Sequence, residues 1–208
     1  MMRAPRKRAL AVLLLLILSL TLSLSSCDRS YDEAEVVAAA KELLPKAKEL
    51  FSVYYGDGIR YIDSGFSDGQ YYQADDIHLR TLGIVTVNDL KNKTYAVFSN
   101  KYSENIFSIY LTTYSGESQD FGARYVMNGT GEYMLVNRKW SPIIYDDRME
   151  YDLDTVRAVG SKKKFINMTV DATVSDGEGN ERTLEISFRL YEEKTGYRID
   201  NPCFANYR

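Results

Sequence analysis

The runs 164–174, KFINMTVDATV, and 182–191, RTLEISFRLY, decide the fold. In the first, Val170, Ala172 and Val174 alternate with Asp171 and Thr173, the period of a strand with one buried and one wet face. Between the runs, Asp176-Gly177-Glu178-Gly179-Asn180 has the composition of a turn, so the two strands follow each other as a hairpin. Working outward, Tyr197 to Ile199 is a short closing strand and Thr155 to Val159 a preceding one. Further back, Ala123 to Met127 and Tyr133 to Val136 flank Asn128-Gly129-Thr130-Gly131, a hairpin signal, and Trp140-Ser141-Pro142 closes that unit.

Before Ser115 the period is helical. Val36, Ala40, Leu43, Ala47, Leu50 and Tyr54 step by fours and threes, which predicts an amphipathic helix over Tyr31–Tyr55. Ser30 with Glu33 reads as its capping box, Gly56 as its stop, and Pro45 as a kink or break. Ile59 to Asp63 and Gln70 to Ala74 read as short strands, while Asp75 to Val85 fits no single period. Thr86 with Asp89 opens a second helix to about Phe98, and Ser103 to Tyr114 is a third. Helices followed by antiparallel strands predict an α+β domain over residues 31–208, with N-terminal helices packed on a curved antiparallel sheet.

Arg3, Arg6, Lys7 and Arg8 precede an unbroken apolar run from Ala9 to Leu18, the layout of a secretory signal. The run is shorter than the roughly 20 apolar residues that a membrane-spanning helix needs. Its end, Leu24-Ser25-Ser26-Cys27, resembles the lipobox of bacterial lipoproteins. That resemblance implies cleavage before Cys27, so that residues 1–26 are a signal peptide, and a diacylglycerol on the Cys27 thiol. It implies an extracytoplasmic protein held to the bacterial cell membrane by lipid. Residues 27–30 are then the lipidated cysteine and its tether, three residues that span at most about 10 Å.

Beyond the signal, roughly 180 residues remain, enough for one domain with a substantial core. Without the four early basic residues, 22 Lys and Arg face 29 Asp and Glu, a net charge of −7. That argues against nucleic acid, and against a grip on anionic lipid by charge alone. All 17 Tyr follow the cut, a composition suited to half-buried strands and to recognition surfaces. With Cys27 lipidated, Cys203 has no intramolecular partner.

Candidate chemistry is sparse. His78 and Cys203 would form a nucleophile–base pair only if the fold joined them, and nothing local orients either. Asp176, Glu178 and Asn180 sit at loop positions 1, 3 and 5 as calcium ligands would, but position 12 is Ser187, inside a strand, so a turn is the better reading. One His and one thiol are too few for zinc, and no phosphate loop or nucleophile elbow is present, so no cofactor is expected. Asp146, Asp147, Glu150, Asp152 and Asp154 put five acids within nine residues. They read as a solvated loop leading into a strand, or as a surface for a cation or a basic partner. A carboxylate pair for glycoside hydrolysis would depend on spatial spacing alone.

The C-terminal Leu190-Tyr191 and Gly196-Tyr197-Arg198-Ile199-Asp200-Asn201-Pro202-Cys203-Phe204 resemble the closing strand of small extracytoplasmic proteins of Gram-positive bacteria. These are the IseA-type inhibitors of D,L-endopeptidases and the NTF2-like lipoproteins. Their usual form is Gly-Trp-Arg/Lys-Ile-Asp-x-Pro-Thr; here Tyr197 stands for the Trp and Cys203 for the Thr. Glu42 to Phe51 near Tyr55-Gly56 is similar to their opening helix, and Val87 to Leu90 with Phe98-Ser99 to their middle helices. The resemblance implies a non-enzymatic binding module at the cell surface, with a wall hydrolase as the expected partner. The alternative is a small-molecule-binding NTF2-like lipoprotein, and a carboxylate-based hydrolase ranks behind both.

Overall fold

The computed structural model describes residues 31–65, 67, 69–113, 123–127, 134–140, 149–175 and 180–204. Its helices are α1 (Glu33–Tyr54), α2 (Asp76–Thr81), α3 (Val87–Val97) and α4 (Asn100–Tyr110). Its strands are β1 (Tyr71–Gln73), β2 (Leu111–Thr113), β3 (Tyr125–Met127), β4 (Met134–Asn137), β5 (Glu150–Lys162), β6 (Phe165–Ser175), β7 (Glu181–Glu193) and β8 (Gly196–Ile199). The class is α+β, as expected.

Asp32 caps α1, its carboxylate accepting from the Ala34 and Glu35 N–H groups at 3.0 and 3.3 Å. The expected cap, Ser30, lies outside the described residues. Val36, Ala40, Leu43, Leu44, Ala47, Leu50, Phe51 and Tyr54 are buried along the helix. Pro45 neither breaks it nor ends it: Pro45 is on the exposed face, so its missing N–H leaves no acceptor stranded in the core. The helix stops where foreseen, with the Gly56 N–H bonded to the Phe51 and Ser52 carbonyls at 3.2 and 3.1 Å. Thr86 and Asp89 form the capping box of α3 as read. The third helix starts earlier than Ser103, because Ser99 caps it, and ends at Tyr110, where the chain turns extended as β2.

The strands form two sheets rather than one. β5-β6-β7-β8 is the antiparallel meander that the alternation predicted, with Val170 opposite Ile186 and Ala172 opposite Leu184. A smaller sheet runs β1-β4-β3-β2, and its β2–β3 pair is parallel. The β3–β4 pairing agrees with the hairpin signal, whose turn at Asn128 to Gly131 lies outside the described residues. Ile59 to Asp63 is not a strand; Tyr61 alone bridges to Ala74. β5 is longer than Thr155 to Val159 and has register shifts between Asp152 and Arg157 and between Ala158 and Gly160.

α1 lies against β5 and β8, facing the apolar side of the large sheet at Ile166, Met168, Val170, Ala172, Ile186, Phe188 and Leu190. Each large side chain buried there contributes about 1.5–3 kcal/mol. Phe51 is the hub, its ring 5.3 Å from Phe98 and 4.7 Å from Phe204. The closing strand is tied to the helices through Asp200. Its carboxylate accepts from Ser99 Oγ at 2.5 Å and from Arg189 Nε and Nη2 at 3.1 and 2.5 Å. The Ser99 N–H also donates to the Ile199 carbonyl at 2.8 Å.

Candidate functional site

Cys27, Asp146, Asp147, Asp176 and Glu178 lie outside the described residues. Glu150, Asp152 and Asp154 stand on β5 itself, not on a loop before it. Glu150 and Asp152 lie on one side of an edge strand by their spacing, Asp154 follows within the register shift after Asp152, and all three residues are exposed. Two of them reach α1: Glu150 pairs with Lys48, and Asp154 with Lys41 at 3.3 Å. Asp152 turns inward on its own strand, accepting from the Asp154 N–H at 3.1 Å. Charges and bulges on β5 also blunt that edge against pairing with another chain.

The structure does not join His78 and Cys203. His78 sits on α2 and its Nδ1 accepts from the Arg60 N–H at 2.9 Å. Cys203 is fully buried beside Tyr151, whose hydroxyl donates to the Cys203 carbonyl at 2.6 Å and lies 3.7 Å from its Sγ. Burial pushes the Cys203 thiol up to about 12, the opposite of what a nucleophile needs. Among the described residues, no group of three His, Cys, Asp or Glu is placed to hold a metal ion. No helix is long and apolar enough to cross a membrane among the described residues.

A polar cavity of about 200 Å³ opens at the start of α1. Tyr31, Asp32 and Glu35 form one wall and Ser161 of β5 with Lys163 and Lys164 of the β5–β6 turn another, with Glu192 and Tyr197 closing it. Lys162 pairs with Phe165, so Lys163 and Lys164 are a two-residue turn. Lys163 has φ 60°, the left-handed region where glycine is the usual residue.

No family model, curated protein or solved structure matches this chain. The site is therefore read from its own geometry. The sequence pattern missed its most constrained part, at the other end of α1. There Arg124 is buried, and its Nη1 and Nη2 donate to the Tyr54 and Gly56 carbonyls at 2.9 and 2.6 Å. Tyr125 donates to the Val53 carbonyl at 2.6 Å and accepts from the Ile59 N–H at 3.1 Å. Gly58, at φ +78°, lets both approach: a Cβ there would lie 2.0 Å from Arg124 Nη2 and 2.6 Å from the Tyr125 hydroxyl. A cation held against the carbonyl end of a helix is favourable, and here it locks α1 to β3. Nothing about an isolated Arg-Tyr pair announces this, because its partners are main-chain oxygens about 70 residues away.

Proposed function

We propose that the chain is a bacterial cell-surface lipoprotein, anchored through lipid on Cys27, whose α+β domain binds a cell-envelope protein without catalysing a reaction. The reading gives the domain the helix-on-sheet form of the IseA-like and NTF2-like proteins and makes a peptidoglycan hydrolase the first partner to try. The observation that carries it is the row of exposed carboxylates at Glu150, Asp152 and Asp154 on an edge strand, set in a domain of net charge −7. It is supported by the engagement of His78 and Cys203 within the fold, which leaves neither poised for chemistry.

The test has two arms. Purified protein beginning at Asp28 is added to a D,L-endopeptidase digesting cell walls, and digestion should slow. Replacing Glu150, Asp152 and Asp154 together by Asn or Gln should relieve that inhibition. Unchanged digestion at micromolar protein, with no envelope protein retained on the immobilised domain, would refute the reading. Separately, Cys27→Ser should move the protein from the membrane to the soluble fraction.

A further inference from the structure

The whole-molecule charge opposes an anionic membrane, yet its distribution is not uniform. In a four-stranded meander the first and third turns lie at the same end, so the β5–β6 and β7–β8 turns are neighbours. The Glu192 N–H donates to the Lys164 carbonyl at 2.9 Å across them. The start of α1 meets the same end, since Tyr31, Asp32 and Glu35 share a cavity with Lys163, Lys164 and Glu192. Lys163 and Lys164 form the first turn with Lys162 at the end of β5 beside them, and Lys194 stands in the second; all four are exposed. Asp32, Glu35 and Glu192 share the cavity with Lys163 and Lys164, and Glu33 and Glu193 are chain neighbours of Asp32 and Glu192; four lysines against five carboxylates leave this end close to neutral while the rest of the domain carries the negative charge. Lys163 keeps a long cationic side chain in a backbone conformation that glycine adopts freely. Tyr31 and Tyr197 flank the lysines, residues suited to the interfacial zone of a bilayer.

We propose that this end of the domain lies flat on the membrane, with Lys162, Lys163, Lys164 and Lys194 touching the phosphates of anionic lipids. The inference rests on the Cys27 anchor, which leaves three residues between the lipid and Tyr31. A tether that short brings some face of the domain to the headgroups, and the end from which the chain emerges is nearest. A single acyl anchor is reinforced by basic groups beside it. Here the lysines orient a domain that the lipid already holds. Turning the β5 edge to the bilayer would instead bring the exposed Glu150, Asp152 and Asp154 against like charge.

The test uses the lipidated full chain, reconstituted in vesicles of phosphatidylcholine alone and of phosphatidylcholine mixed with phosphatidylglycerol. Lysines are then modified with a water-soluble amine reagent and counted by mass spectrometry. Labelling of Lys162, Lys163, Lys164 and Lys194 should fall roughly threefold or more on the anionic vesicles and recover at high salt. The exposed Lys101 and Lys139, on other elements, should label equally on both. A variant carrying Lys163→Glu and Lys164→Glu should stay on the vesicles but lose the protection at Lys162 and Lys194. Equal labelling of the four lysines on both vesicles, with the protein still bound, would overturn the orientation and leave the anchor standing. Failure of Cys27→Ser to leave the membrane fraction would instead overturn the anchor, and the orientation with it.

Discussion

Removing the Arg124 side chain is the sharpest probe of how α1 is joined to the smaller sheet. Arg124→Ala deletes two charge-assisted bonds, to the Tyr54 and Gly56 carbonyls at 2.9 and 2.6 Å, and the contact of the guanidinium with the Tyr125 ring at 5.6 Å. Bonds to a charged donor contribute about 1.5–3 kcal/mol each, and stranding a buried acceptor costs a similar amount. Against this, burial pushes the Arg124 guanidinium below its ordinary pKa, so deleting the charge returns part of its desolvation cost. The net expectation is a loss of about 3 kcal/mol, which for a chain of this size lowers Tm by roughly 6–12 °C. Urea unfolding followed by far-UV circular dichroism measures it. Arg124→Lys should recover less than half of the loss, because one ammonium cannot hold both carbonyls in a fork. A loss below about 0.5 kcal/mol for Arg124→Ala would refute the reasoning, since that is the range of surface substitutions.

Three further outcomes follow from single groups. Lys163→Gly should raise stability by about 0.5–1 kcal/mol in urea unfolding, the relief of left-handed strain less the added freedom of the unfolded chain; a loss would mean that the lysine side chain itself holds the turn. Cys203, fully buried with its thiol pushed up to about 12, should not react with a thiol reagent in the native Cys27→Ser protein and should react fully in denaturant; fast native labelling would contradict its placement. Stability should fall as pH rises above about 10, because burial raises Tyr125 to about 12 and Tyr54 above its ordinary value while both ionise normally in the unfolded chain. Their stabilising effect is complete below pH 10 and is lost as pH climbs toward the folded values. These two contribute about 2.7 kcal/mol per pH unit together; burial raises Tyr55, Tyr102 and Tyr110 as well, so Tyr54→Phe should lower the measured slope by about 1.4 kcal/mol per pH unit.

The periodic segments were legible because burial has a period. The α1 stripe and the β6–β7 alternation each bury one face, and the structure pairs Val170 with Ile186 as the alternation requires. What escaped was local structure without its usual markers. The β5–β6 turn is built from Lys163 and Lys164 with no Gly, Asn or Asp at its centre, so no turn residue marks where β5 ends. Acids depleted in strands hid the first half of β5, where edge exposure and pairing with Lys41 and Lys48 make Glu150, Asp152 and Asp154 tolerable. The β2–β3 parallel pair was invisible for a different reason: β2 is a three-residue continuation of α4 and carries no strand-length pattern. The Arg124 lock depends on main-chain acceptors, which no side-chain motif encodes.

α1 links the two proposals by acting as a ruler. Its start, at Asp32, shares a cavity with the turn lysines, while Lys41 and Lys48 hold Asp154 and Glu150 further along. At 1.5 Å per residue those two lysines stand about 12 and 22 Å along the axis from Glu33. If the lysine turns meet the bilayer, the carboxylate row is held away from it, beyond the Debye length of about 8 Å at physiological ionic strength. The acids then repel the membrane weakly, and a basic partner arriving from the wall side would compete with Lys41 and Lys48 for Asp154 and Glu150. The same geometry explains why a short tether need not bury the row: the reach comes from the rigid helix and not from the three residues after Cys27. The two ends are separable by mutation, for reversing Lys163 and Lys164 should change orientation at the membrane while neutralising Glu150 and Asp154 should change partner capture alone.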